Sequence, residues 1–231
     1  MKKFLLAIAV LISLISGICS ANEIPNSMDK SQAARSSRVS FIMNSVEGAA
    51  FDVYIVGFNE HLLGRDSYNW ETGDQIFTAD YRAYLSRVND SRVTLQDVKL
   101  FGLSRIPGGK INRSKYDGSG IYIVKGKHGL SDLLVSTVMA TATGFFNAKV
   151  FVIRENELKL VRFMSADDNL TRDESFVSHN RMEYLDDGTL RVPWWTNAGT
   201  REERGNYETI YMLDVQNLVL ISSYTNKLPR N

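Results

Sequence analysis

The run Gly118-Ser-Gly-Ile-Tyr-Ile-Val-Lys125, the apolar block 130–146, then Lys149-Val-Phe-Val-Ile-Arg154, Glu155-Asn-Glu157 and Leu158-Lys-Leu-Val-Arg-Phe163 form the most strongly patterned part of the chain. Short β-branched and aromatic runs punctuated by Gly or by a polar turn with Asn are what a sheet requires. Stiff side chains pack on a pleated face, and the punctuating residues accept turn geometry. The stretch therefore predicts a mainly β fold, an antiparallel sheet or sandwich built from successive hairpins with one or two helices.

Working outward towards the C-terminus, Arg181-Met-Glu-Tyr-Leu-Asp-Asp-Gly-Thr-Leu-Arg-Val192 places Asp187-Gly188 between two alternating runs, a hairpin signal. Thr209-Ile-Tyr-Met-Leu213 and Leu218-Val-Leu-Ile-Ser222 predict a further hairpin through residues 214–217. Towards the N-terminus, Val39, Phe41 and Met43 alternate with Ser40 and Ile42, and Phe51-Asp-Val-Tyr-Ile-Val-Gly-Phe58 follows, which fits two strands turning within residues 44–50. Between these regions, Phe77, Tyr81, Tyr84, Leu85 and Val88 fall at helical spacing, predicting a helix over 74–88 with one buried face. Residues 130–146 are ambiguous. Ser131 can cap a helix, yet Val135, Thr137, Val138, Thr141 and Thr143 are β-branched, so a helix is only slightly favoured over two short strands.

Residues 1–21 are of a different kind. Lys2 and Lys3 precede an apolar run to Ile18, and Cys19-Ser-Ala21 supplies small residues for cleavage, the pattern of a secretory signal. The run is shorter than the roughly 20 residues of a membrane-spanning helix, so no stable membrane insertion is expected after cleavage. Residues 22–38 are polar and small and read as a flexible arm, leaving 39–231 as one globular domain among 231 residues. The mature chain would carry 25 Lys+Arg against 26 Asp+Glu and no cysteine. That balance argues against nucleic acid, and a disulfide-free exported chain points to the bacterial envelope, periplasmic or secreted.

Signals for chemistry are weak. No G-x-S-x-G occurs, and His61, His128 and His179 are isolated from metal-ligand spacing, so neither a catalytic residue nor a metal or cofactor is assigned. Scattered carboxylates, Asp167, Asp173 and Glu183 with His179, offer an envelope-polymer hydrolase as the alternative reading. Charge is more informative: residues 99–128 hold seven Lys/Arg against one acid, and residues 155–190 hold nine acids against four bases. The two segments either neutralise each other or leave a basic loop, with Lys110, Arg113 and Lys115, to meet an anionic partner. Trp194 and Trp195, adjacent in a predicted strand, should point to opposite faces, one into the core and one available for docking. The sequence thus predicts a non-catalytic binding or accessory protein. Its expected partner is an anionic envelope polymer, a lipid head group or another envelope protein, met through Lys110, Arg113, Lys115, Trp194 and Trp195.

Overall fold

The computed structural model describes residues 24–65, 75–101, 103–106, 120–139, 146–165, 170–177, 182–196, 199–200 and 203–229. Its first sheet contains β1 (Ser27–Asp29), β2 (Ser37–Asn44), β3 (Ala50–Arg65), β4 (Gln75–Arg87), β5 (Arg92–Leu95) and β6 (Leu103–Ile106). They pair in the order β1-β5-β4-β3-β2, with β6 alongside β4. A single described helix, α1 (Lys30–Ser36), joins β1 to β2.

The second sheet begins with β7 (Ile121–Val124), β8 (Leu133–Met139), β9 (Phe146–Arg154) and β10 (Glu157–Met164). It continues through the short β11 (Thr171–Arg172), β12 (Ser175–Val177) and β13 (Glu183–Tyr184) to β14 (Leu190–Thr196), β15 (Gly205–Asp214) and β16 (Val219–Lys227). Its order is β13-β14-β15-β16-β10-β9-β8-β7. The protein is therefore mainly β and built from hairpins, with one parallel contact among the described strands, where β10 meets β16 from Arg162↔Val219 to Met164↔Ile221. Strand β10 is the hinge of this sheet: residues 157–161 pair with β9, and residues 162–164 pair with β16.

Alternation along the strands explains the layering. In β9, Val150 and Val152 enter one core while Phe151 and Ile153 enter another, and all four are buried. The second of these cores also receives Met43, Phe51, Val53, Ile55 and Leu85, so the first sheet lies face to face on β8, β9 and β10. The opposite face of β8–β10 meets Leu190, Val192 and Leu220, which means that the second sheet curls over on itself. A third, smaller core joins Tyr54, Val56 and Tyr84 on the outer face of the first sheet to Met28 and Ala33. Each large side chain withdrawn in this way contributes about 1.5–3 kcal/mol, and truncating Phe151 to Ala would cost about 3–5 kcal/mol.

The turns follow from their residues. Glu155 and Asn156 adopt φ of 56° and 62°, the two positive angles of the tight turn that matches strand twist, and so close β9 onto β10. The predicted turn at Asp187-Gly188 closes β13 onto β14, with Gly188 at φ 84° and the Leu185 N–H donating to Thr189 O at 2.8 Å. The turn expected within 44–50 is also present, with Ser45 N–H donating to Ala49 O at 2.8 Å.

Three expectations are corrected. The helix placed on 74–88 is strand β4 over Gln75–Arg87, because Tyr81, Ala83 and Leu85 face one core and Tyr84 faces another. With both faces buried, apolar residues accumulate at spacings that imitate a helix. The helix favoured on 130–146 is strand β8 over Leu133–Met139, in keeping with its β-branched residues; residues 140–145 lie outside the described residues. Within the arm expected over 22–38, β1 pairs with β5 and α1 buries Ala33.

Candidate functional site: the mouth of the curled sheet

Where the second sheet curls, its inward face changes character along its length. Register pairs Leu190 with Tyr211, Val192 with Thr209 and Trp194 with Tyr207. Strand alternation places these six side chains on one face, and across β15 they continue to Ser222, Thr225 and Lys227 of β16. Leu190 and Val192 belong to the core, but beyond them the inward positions become hydroxyl and aromatic. The core thus opens into a mouth rather than closing with more Val and Leu.

Thr209 organises this mouth. It is only 8% exposed, and its Oγ1 accepts the Trp194 indole N–H at 3.0 Å while sharing a 2.9 Å hydrogen bond with Thr225 Oγ1. A buried hydroxyl with no partner would cost about 1–3 kcal/mol, so these bonds fix the rotamers of all three side chains. Trp194 in turn stacks on Tyr207, with ring centroids 4.5 Å apart and planes at 14°. The Tyr207 hydroxyl donates to Glu203 O at 2.5 Å, and the Lys227 ammonium lies 5.7 Å from the Tyr207 ring centroid.

Beside Thr209 lies a cleft of about 380 Å³, bounded by β15 and β16 on one side and by the end of β10 with β11 and β12 on the other. Phe163 and Tyr211 form an edge-to-face pair within it, with centroids 5.6 Å apart. Burial pushes the Tyr211 hydroxyl above the ordinary tyrosine value, with a hydrogen bond to Ser175 and the Arg172 charge pulling the other way. The ring hydroxyl therefore remains a neutral donor and acceptor across physiological pH.

A larger opening, about 940 Å³, lies at the seam between the two sheets. Part of its polar lining serves the fold: Gln96 accepts the Leu158 N–H at 3.0 Å and donates to Thr94 O at 3.1 Å, and Arg87 donates to Asn156 Oδ1 at 3.1 Å. The mouth, where polar side chains replace a core, is the better candidate despite its smaller volume.

The residues singled out from sequence divide clearly. Trp194 lies on the inward face with Val192, and Trp195 lies on the opposite face in register with Asn206; both are half-buried. Lys110, Arg113 and Lys115 lie outside the described residues, although Leu103–Ile106 at the start of the predicted basic loop is a strand on β4. Among the described residues, Lys127 of the basic segment pairs with Asp186 of the acidic one at 2.9 Å. Of the hydrolase candidates, Asp167 and His179 lie outside the described residues. Asp173 borders the seam, and Glu183 pairs with Arg191 on β13 and β14. Among the described residues, no three His, Cys, Asp or Glu side chains stand close enough to hold a metal ion. No helix among them is long and apolar enough to cross a membrane.

Sequence reasoning missed Thr209, Tyr211, Ser222 and Thr225. The available signal was the alternation Tyr207-x-Thr209-x-Tyr211, which puts polar groups on the face that Leu190 and Val192 mark as inward. These features define a mainly β protein with a hydroxyl-lined mouth beside an aromatic stack. Compared with protein-family models, with curated proteins and with solved structures, the chain has no match, so its function rests on the site alone.

Proposed function

We propose that this chain is an exported, non-catalytic binding protein of the bacterial envelope that takes its ligand in the mouth of the curled sheet. Export is supported by the signal-like residues 1–21, and binding by the mouth itself. The observation that carries the reading is Thr209: a buried hydroxyl on the wall of a cleft, already bonded to Thr225 on the same wall, holds the half-buried Trp194 side chain beside it. Side chains fixed before ligand arrives lose little further entropy on binding, which is the advantage of a preformed site.

The test uses the mature chain beginning at Asn22, immobilised and exposed to envelope extract. Wild-type protein retains an envelope component that Trp194→Ala releases, while both proteins unfold with the same cooperativity in urea. Equal retention by the folded variant would place binding elsewhere. Mass spectrometry of the mature protein should find Asn22 at its N-terminus, and an intact Met1 in the cytoplasm would remove the envelope assignment.

A further inference from the structure

We propose that the ligand of the mouth is an uncharged saccharide segment, one ring lying in the cleft and the next reaching the Trp194–Tyr207 stack. This rests on the reading of the mouth as the binding site and adds the chemistry of its ligand.

The lining decides the class. Ser165, Ser175, Thr209, Tyr211, Ser222 and Thr225 all border the cleft or its edge, and each carries a hydroxyl. A hydroxyl both donates and accepts, and it rotates to suit its partner, so a surface of hydroxyls matches a ligand whose own groups do the same. Polyols have that property; phosphates, sulfates and carboxylates only accept. An anionic ligand calls for converging cations, but among the described residues the charged groups lining this cleft are Arg172 and Glu174, of opposite sign, and at the stack the Lys227 ammonium stands alone, 5.7 Å from the Tyr207 ring centroid. Glu174 is in addition engaged by Lys149 at 3.6 Å. An acyl chain calls for a continuous apolar wall, which the six hydroxyls interrupt.

The aromatic groups supply the other half of sugar recognition. A pyranose ring presents C–H groups on its faces and hydroxyls around its edge, so it needs a flat apolar surface next to hydrogen-bonding groups. Aromatic side chains with a polar handle provide that combination. Here Tyr211, packed edge-to-face on the buried Phe163, lines the cleft, and the Trp194–Tyr207 stack is tied to the cleft wall by the Trp194 bond to Thr209. The volume of about 380 Å³ lies near the lower end of the roughly 300–1,000 Å³ range of small-molecule sites, suited to a short segment rather than a long chain.

Mature wild-type protein is titrated, by calorimetry and by tryptophan fluorescence, with maltotetraose, cellotetraose and chitotetraose, and in parallel with dextran sulfate and with phosphatidylglycerol vesicles. At least one neutral tetrasaccharide binds. Its affinity changes less than about twofold between 50 and 500 mM NaCl, because no charge pair forms across the interface. Thr225→Val and Thr209→Val each weaken it about fivefold or more, the usual effect of losing one hydrogen bond. Thr225 is exposed and Thr209 keeps its Trp194 bond, so Thr225→Val stays cooperatively folded, with a urea midpoint lowered less than that of Thr209→Val. Three results overturn the proposal. If only the anionic probes bind, and Trp194→Ala abolishes that binding, the ligand class is wrong and the mouth stands as the site. If a tetrasaccharide binds but neither Thr225→Val nor Trp194→Ala weakens it, the sugar lies elsewhere. If no probe of either kind binds, the saccharide assignment fails, and retention of an envelope component by wild type but not Trp194→Ala then decides separately whether the mouth binds anything.

Discussion

The carboxylate of Asp132, just before β8, accepts the backbone N–H of Asn44, at the end of β2, across 2.8 Å. The same side chain, 1% exposed, also accepts from Gly126 N at 2.8 Å and from Lys125 Nζ at 2.9 Å, while Asp132 N–H donates to Asn44 O at 3.0 Å. One buried acid thus joins the edge of the first sheet to the turn between β7 and β8. Asp132→Ala should destabilise the protein by about 2–4 kcal/mol, since it leaves two part-buried backbone donors without their acceptor. Lys125→Gln should cost no more than about 1 kcal/mol, because the Lys125 side chain is 62% exposed. Urea midpoints at unchanged m-value measure both, and equal costs would refute the account.

Two glycines should fail for different reasons. Gly188 sits at φ 84°, and a Cβ there would meet only Leu130 Cδ1 at 3.4 Å, so Gly188→Val should cost about 1 kcal/mol or more through backbone strain. At Gly126 a Cβ would lie 1.9 Å from Leu130 O, which demands movement of the backbone itself. Gly126→Ala should therefore lower the urea midpoint further than Gly188→Val, and the reverse order would show that the loop before β8 yields easily.

The β13–β14 turn should weaken in acid. Thr189 donates to Asp187 from its hydroxyl at 2.6 Å and from its N–H at 2.9 Å, and these bonds hold the Asp187 carboxyl below its ordinary value of 3.8. A hydrogen bond and charge from Lys127 do the same for Asp186. A carboxylate whose pKa is depressed by folding stabilises the fold above its unfolded value and loses that contribution as pH falls through the folded one. The stability difference between wild type and Asp187→Ala should be full at pH 5 and shrink progressively below pH 3.8. A difference independent of pH in urea titrations would assign the effect to chain geometry rather than to charge.

Glu60 ties the long β3–β4 hairpin to β2. It accepts the Tyr81 hydroxyl at 2.8 Å and Arg38 Nε at 2.9 Å, and the Arg38 guanidinium lies 4.3 Å from the Phe77 ring centroid. Tyr81→Phe removes one bond and should cost about 1 kcal/mol, whereas Glu60→Ala strands both a half-buried guanidinium and a buried hydroxyl and should cost about 2–3 kcal/mol. Equal urea midpoints for the two variants would show that Arg38 finds another acceptor.

The local part of this fold was written in the sequence by residues that act on their own neighbours. Gly188 and Asn156 accept positive φ at their turns, and the alternating runs beside them have only to pair across the turn. Trp194 and Trp195 fall on opposite faces because a strand alternates. Tertiary structure decided what local rules could not. Whether Gln75–Arg87 is strand or helix depends on how many of its faces are covered, and two cores, not one, receive Tyr81 and Tyr84. Leu133, Leu134 and Val135 are all buried, so β8 has no polar side from which a period of two could be read. The mouth, too, exists only in three dimensions. Thr209 and Thr225 lie in separate strands, and the polar alternation within β15 becomes a mouth only when the second sheet curls and brings their hydroxyls together on its inward face.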